Sequence, residues 1–414
     1  MNPPTVSDLP PIELRLGAPA HGGACVAHDQ EGRLYFVRGG APGELVRVRI
    51  TSPQSRLSWA EVTEVIEPSA DRISTTPVPG ADLAFLSAPA QREWKAQVLR
   101  DQFQRVGSRE LARAAEELGT LVVRPAPGDE SDGWGRRTRA RFRVAKNGHL
   151  SISGYRSHQL ESVREFPLLD PVFAEAGVFT SSKWEARWRK GETVNLVAPT
   201  DSAPLVLAGK RCLDLKGKTA APVGYWRVEA GGQRVRFQVR AAGFWQTHRE
   251  AATVLAQAVL RGAGDLTGKN VLELYSGAGL FTYFLAERAA RVTTVESDRR
   301  AVEDAAHNLT QLDGGATTQL NVGKVDAEIL NQAGFRPDLL VLDPPREGAN
   351  RDLLQAVEAD RIVLVSCDPA AAARDLALLV GRGYELAQLE AWDLFPNTHH
   401  VETVATLNWT PKAG

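Results

Sequence analysis

NVLELYSGAGLFTYFLAERAARVTTVES (270–297) reads as strand, glycine turn, helix and second strand. A short apolar run ends at Tyr275, and Gly277 and Gly279 permit a tight turn with a close approach to the backbone. The alternation continues downstream. DLLVLDPP (338–345) and RIVLVSC (361–367) read as strands, while RRAVEDAAHNLTQL (299–312), RDLLQAVEA (351–359) and AARDLALLVGRG (372–383) carry helical spacing. Apolar strands separated by helices predict an α/β fold with a parallel sheet covered on both faces. Ligands of such sheets bind beyond the carboxyl ends of the strands, so the residues just after each strand are the candidates for chemistry.

Upstream the character changes. HGGACVAHDQEGRLYFVRGGAPGELVRVRI (21–50) and the following LSWAEVTEVIEPS predict four or five short strands with glycine-rich turns, the pattern of a small barrel. PAQREWKAQVLRDQFQRVG (89–107) predicts a helix with Trp94, Val98, Leu99, Phe103 and Val106 on one face. FRVAKNGHLSISGYR, ETVNLVAPT and RVRFQVRAAGFWQ return to strand spacing before residue 250. The division that follows is a barrel at 10–67, a central α+β domain at 68–241 with helix 89–107 packing on the catalytic part, and a catalytic domain at 242–414.

The 414 residues balance 49 Lys plus Arg against 50 Asp plus Glu, which argues superficially against a nucleic-acid partner. The balance is a sum of opposed parts. Residues 1–264 hold 36 basic and 28 acidic groups, net +8, and residues 265–414 hold 13 and 22, net −9. Within 131–158, Arg136, Arg137, Arg139, Arg141, Arg143, Lys146 and Arg156 face one acid, Asp132. The alternate spacing of Arg137, Arg139, Arg141 and Arg143 predicts a row of guanidinium groups on one strand face, able to track phosphates; a solvated strand edge has the same spacing. Cys25, Cys212 and Cys367 show no metal-ligand spacing, so neither a cysteine-held metal site nor a disulfide framework is expected. No signal-peptide pattern and no membrane-length apolar run is read, and the protein is expected in the cytoplasm without membrane partners.

Four stations carry candidate chemistry. In the turn YSGAGLF the third glycine of a dinucleotide fingerprint is replaced by Thr282, and Glu296 closes the next strand as an acceptor for ribose hydroxyls. This suits an adenosine cofactor without pyrophosphate, S-adenosyl-L-methionine first among them, although a GxG turn also serves plain helix–strand packing. DPPREG (343–348) holds Asp343 at the sheet edge by two prolines, with Arg346 available to phosphate or to Asp343 itself. SCDPAAAARDL (366–376) places Cys367 before a helix whose dipole should favour a thiolate. A lone cysteine there is by default a small buried hydrophobe, and the shared ligand edge reverses that default. DLFPNTHHVE (393–402) sets Glu402 at the start of an apolar strand, where a raised pKa suits a proton acceptor; His399 and His400 read as structural.

Together SCDPAAAARDL, DLFPNTHHVE and DPPREG resemble the signatures of the RNA 5-methyluridine (uracil-C5) methyltransferases, and the resemblance covers nearly the whole chain. It implies a class I Rossmann-like S-adenosyl-L-methionine methyltransferase domain behind an OB-like TRAM barrel and a central RNA-binding domain. Cys367 would then add to carbon 6 of uracil, Glu402 would remove the carbon 5 proton, and Asp343 would orient the base. AGFWQTH (242–248) matches the family segment whose glutamine contacts cofactor or base, here Gln246, with Phe244 as a stacking partner. The cofactor set on this reading is Gln246, Tyr275, Gly277, Gly279, Glu296, Asp326 and Asp343. The RNA-contacting set is Phe244, Gln246, Arg137, Arg139, Arg141 and Arg143.

Ribosomal members often carry an iron–sulfur cluster on cysteines just after the barrel, and STTPVPGADLAFLSAPAQREWK (74–95) has none, so no cluster is expected. Ribosomal RNA is the expected substrate, with the tRNA T-loop as the alternative. An amino-group methyltransferase would need neither Cys367 nor Glu402, a cytosine-5 enzyme would present other flanking motifs, and a non-catalytic RNA chaperone would not need Cys367, Asp343 and Glu402 intact.

Overall fold

The fold is described by a computed structural model covering residues 10–52, 57–153 and 160–410. Five parallel strands lie in the order Thr317–Val322, Arg291–Glu296, Asn270–Leu274, Leu339–Leu342 and Arg361–Ser366. Their side chains alternate between two cores. Val271, Val292, Val341 and Val363 pack on one face, and Leu272, Leu340, Ile362 and Leu364 on the other. The sheet then departs from the parallel pattern: Glu402–Trp409 runs antiparallel to Arg361–Ser366, Tyr384–Asp393 antiparallel to that, and Val123–Pro125 closes the edge. The reversal carries the beginning of Glu402–Trp409 to the edge where the parallel strands end.

The N-terminal strands form a closed barrel, Ile12–Ala20, Ala24–His28, Leu34–Arg38, Leu57–Glu67 and Leu45–Ser52, the last pairing back to the first. Alternate residues Leu14, Leu16, Val46 and Val48 fill it, as a half-buried antiparallel strand requires. Gly22 and Gly23, both at positive φ, make the first turn. Leu83, Leu86, Trp94 and Val98 join the barrel core from outside the barrel.

Trp94 and Val98 belong to helix Ala88–Gln102, which continues as a π turn over Phe103–Gly107. The predicted apolar stripe holds for Trp94, Val98, Leu99 and Phe103 but not for Val106, which is 45% exposed. A π turn carries more residues than an α turn, so Val106 is rotated off the stripe.

The central sheet runs Arg211–Leu213, Leu205–Ala208, Thr193–Val197, Arg139–Val144, Leu150–Ser153 and Leu160–Ser162. Phe142, Val144, Val194, Leu196 and Val206 pack inward on Phe166, Phe173 and Trp184. Hairpin Val223–Ala230/Gln233–Arg240 instead sends Trp226, Val228, Val235 and Phe237 into the core that contains Val271 and Val341, so residues on both sides of 241 share one core. Arg156 lies outside the described residues. Among those described, no helix is long and apolar enough to cross a membrane.

Candidate active site

The glycine turn is built by backbone demand. Tyr275, Gly277 and Gly279 have φ of 64°, 54° and 83°. A Cβ at Gly279 would lie 3.0 Å from the Cβ of Ala305, whereas one at Gly277 would meet nothing within 4 Å. Gly279 therefore seats helix Leu280–Ala286 beside helix Arg299–Leu309, and Gly277 leaves the backbone open to a ligand. Glu296 accepts from the Gly277 amide at 3.0 Å, the Asp298 amide at 2.7 Å and the Ser297 hydroxyl at 3.1 Å. A carboxylate has about four acceptor positions, so capacity remains for a ribose hydroxyl. Thr282, where a dinucleotide fingerprint has glycine, donates to buried Glu273 at 2.6 Å. Burial pushes the Glu273 carboxyl up to about 8, a feature the sequence reading missed. Asp326 accepts from the Glu328 amide at 3.2 Å and meets Lys324 at 3.2 Å. A glycine turn with open space at Gly277 beside a strand-ending acid fits an adenosine cofactor.

Asp343, Cys367 and Glu402 converge on the same edge. The last pair between Arg361–Ser366 and Glu402–Trp409 is Ser366 with Thr403, tied also by the Thr403 hydroxyl to the Ser366 carbonyl at 3.2 Å. Cys367 and Glu402 are the next residue on each strand and so stand opposite one another; Cβ atoms at opposed positions are about 5 Å apart. Asp343 follows Leu342 on the neighbouring strand, and burial pushes its carboxyl up to about 7. Burial, then the Asp343 charge, raises Glu402 well above the usual carboxylate range.

Here the structure corrects one expectation. The helix after Cys367 does not leave the thiol acidic, because burial and then Glu402 and Asp343 push it up to about 12. The amides of Ala370 and Ala371 are taken by the Asp368 side chain, each at 3.0 Å. Asp368 in turn meets His21 of the barrel turn at 3.2 Å. Arg346 acts in the opposite sense and favours the ionised form of both Cys367 and Glu402. Its guanidinium does not pair with Asp343; it lies 3.4 Å from His400 Nε2.

The loop before Glu402 is held by residues with no motif of their own. Asn397, at φ 66°, receives Gln91 Nε2 at 3.0 Å on its side chain, donates its amide to Gln91 Oε1 at 2.8 Å, and accepts the Leu83 amide on its carbonyl at 3.0 Å. Lys95 is fully buried, pairs with Asp393 and donates to the Phe395 carbonyl at 3.1 Å. His399 is paired with Asp82 at 2.5 Å, and its ring lies tilted 4.2 Å from that of His400, which burial and then His399 push down to about 3. A lysine inside the stripe Trp94–Val98 was the one available signal of such a buried partner.

AGFWQTH is anchored by Trp245, packed on Trp226 and Phe237, and by His248, bonded to Asp129 at 2.6 Å. Just before these anchors Phe244 is 70% exposed, and between them the Gln246 side chain has no protein partner among the described residues. The arginine row is split. Arg137 precedes the strand, bridging to His248 and Leu169, and its Nε is buried without a partner. Burial lowers that guanidinium to about 10. Arg139 is spent internally on the carbonyls of Ala241 at 2.7 Å and Gly243 at 2.5 Å, which fixes the start of the Phe244 loop. Only Arg141 and Arg143 are exposed.

Comparison with known proteins agrees with this geometry. The family described as tRNA (uracil-5-)-methyltransferase matches residues 226–409. An uncharacterised RNA methyltransferase of Streptomyces avermitilis is 35% identical over 97% of this chain and 98% of its own length. The 23S rRNA (uracil(1939)-C(5))-methyltransferase of Halomonas elongata is 30% identical over 97% of this chain and 90% of its own. In fold, the chain is similar to the crystal structure of Pyrococcus abyssi tRNA (uracil-54, C5)-methyltransferase in complex with S-adenosyl-L-homocysteine, with a TM-score of 0.64 at 20% identity over 95% of this chain and 99% of that one.

Proposed function

The chain belongs to the RNA uracil-C5 methyltransferase family and is an S-adenosyl-L-methionine-dependent RNA (uracil-5-)-methyltransferase, and on that premise we propose that it modifies a uridine of 23S ribosomal RNA through a covalent adduct on Cys367, with Glu402 as the base. The observation that carries the mechanism is the opposition of Cys367 and Glu402 one step beyond the Ser366–Thr403 pair, with Asp343 beside them. Carbon 5 of uracil is a weak nucleophile. Cys367 loses its proton to solvent and adds as a thiolate to carbon 6, and the electron pair of the double bond moves onto carbon 5 and oxygen 4. Asp343 and Gln246 bind the uracil edge, and Phe244 stacks on a base brought out of its helix. When bound, S-adenosyl-L-methionine supplies a methyl group on positively charged sulfur; Tyr275, Gly277, Gly279, Glu296 and Asp326 are the residues that would hold it. After methylation of carbon 5, Glu402 removes the proton there, the pair re-forms the double bond, and the Cys367 sulfur leaves. Arg346 supports both ionised groups through its charge.

The ribosomal substrate is supported by the full-length likeness to a 23S rRNA enzyme and by the TRAM-like barrel. RNA carrying 5-fluorouridine has no carbon 5 proton to remove, so the wild type with cofactor should form a complex stable to denaturing electrophoresis and Cys367→Ala none. Uridine methylation by Cys367→Ala at the wild-type rate would rule out the adduct. Mapping 5-methyluridine in cells with and without the gene should lose one or more sites in 23S ribosomal RNA; loss confined to tRNA would replace the substrate.

A further inference from the structure

The barrel is the expected RNA holder, yet three of its exposed arginines are already neutralised. Arg15 meets Glu67 at 2.6 Å, Arg49 meets Glu61 at 3.3 Å, and Arg47 is shared by Glu13 and Glu64. Hairpin arginines Arg227 and Arg236 both close on Asp201. Unneutralised positive charge gathers instead at one edge of the central sheet.

Backbone contacts bring it together. Arg143 lies opposite Thr193, whose carbonyl accepts the Gly209 amide at 3.1 Å, so Lys210 follows directly. The Val144 amide donates to the Glu192 carbonyl at 2.9 Å and the Gly191 amide to the Val144 carbonyl at 2.8 Å, which places Arg189 and Lys190 at the same end. The Arg187 side chain runs on from there against Gly217, where a Cβ would fall 2.6 Å from its Nε, and so sets the turn bearing Lys216 and Lys218 alongside. Arg143, Arg189, Lys190, Lys210, Lys216 and Lys218 are all exposed, and none of these side-chain cations has a carboxylate or other hydrogen-bond partner among the described residues.

The acids of the same stretch are spent. Glu192 holds Arg211 at 2.9 Å, Glu185 holds Arg164 at 3.2 Å, and Asp214 accepts the amides of Lys216 at 2.9 Å and Lys218 at 2.8 Å. A surface kept soluble by charge intersperses both signs, whereas a one-sign field raises the local concentration of a polyanion. Trp188, half-buried, stacks on Trp184 at 5.3 Å within this edge.

We propose that this edge of the central sheet binds the sugar-phosphate backbone of the substrate RNA away from the methylated uridine, as a grip that sets affinity and takes no part in the chemistry. The proposal rests on the reading that the substrate is RNA. Its test uses the full chain carrying Lys190→Ala, Lys210→Ala and Lys218→Ala together, with unmodified 23S ribosomal RNA and tRNA transcripts, read on whichever transcript the wild type methylates. Each lost phosphate contact lowers the slope of log affinity against log salt by about 0.7–0.9, so the triple variant should lose about 2–3 from that slope. The loss should fall on KM rather than kcat. Arg47→Ala with Arg49→Ala, which removes cations already paired in the barrel, should leave the slope in place. A triple variant of wild-type melting temperature with an unchanged slope and KM would overturn the proposal while leaving uracil methylation standing. A wild type that methylated no RNA would remove that reading, and the proposal with it.

Discussion

At the scale of single residues, burial raises the pKa of Asp343, Cys367 and Glu402 together. With the Cys367 thiol pushed up to about 12, iodoacetamide labelling should be slow at pH 7 and rise about tenfold per pH unit to pH 10, since only the thiolate reacts. Arg346→Gln removes the cation that favours ionisation and should slow labelling at every pH; peptide mapping separates Cys367 from buried Cys25 and Cys212. A labelling rate flat with pH would sink this account. Asp343 has the opposite consequence for stability. Its carboxyl ionises near 3.8 when unfolded and near 7 when folded, so the folded state keeps a proton that the unfolded state has lost. Stability therefore falls as pH rises from about 4 to about 7 and stays low above, by on the order of 4 kcal/mol. Asp343→Asn should melt higher than wild type at pH 8, with the gap closing toward pH 4; equal melting at both pH values would contradict it. Cys367, Glu402 and Asp343 were legible in short motifs, and so was the upward shift of Glu402 at the head of an apolar strand; the upward shift of Cys367 was not, because it depends on burial and on two acids from neighbouring strands.

At the scale of elements, the helix Ala88–Gln102 acts as the clamp of the loop that precedes Glu402. Lys95→Met would strand Asp393 without its partner in a buried site, and a broken buried pair costs about 3–5 kcal/mol. Lys95→Met with Asp393→Leu should recover most of it. Urea titrations of the two variants check this, and a single variant within 1 kcal/mol of wild type would mean that the pair is not buried in solution. The periodicity of residues 89–107 sufficed to predict the helix, whereas the π turn at Phe103–Gly107 was not legible, since no local spacing distinguishes it. The arginine alternation likewise predicted the outward face of Arg139–Val144 correctly, while the diversion of Arg139 to the carbonyls of Ala241 and Gly243 depends on a loop a hundred residues away.

At the scale of the whole molecule, the barrel is docked rather than tethered. Trp94 packs in its core, and His21 reaches Asp368 beside Cys367. Trp94→Ala should cost about 3–5 kcal/mol and speed hydrogen exchange in the barrel strands, with strands 270–274 and 339–342 unchanged. Unchanged barrel exchange would show that the docking does not depend on this side chain. The opposed charges of the two parts also acquire places: a run of exposed, unpaired cations lies on the central sheet edge, whereas Arg15, Arg47 and Arg49 of the barrel are paired. The α/β domain and the barrel could be read along the chain, as could Cys367, Glu402 and Asp343 as candidates, because hydrophobic period, glycine turns and motif spacing act over a few residues. Only the tertiary structure decided that Cys367 and Glu402 stand opposite each other, that Lys95 and Gln91 hold their loop, and which cations are free. Those are properties of pairing register and long-range burial, and nothing in the neighbourhood of a residue along the chain encodes them.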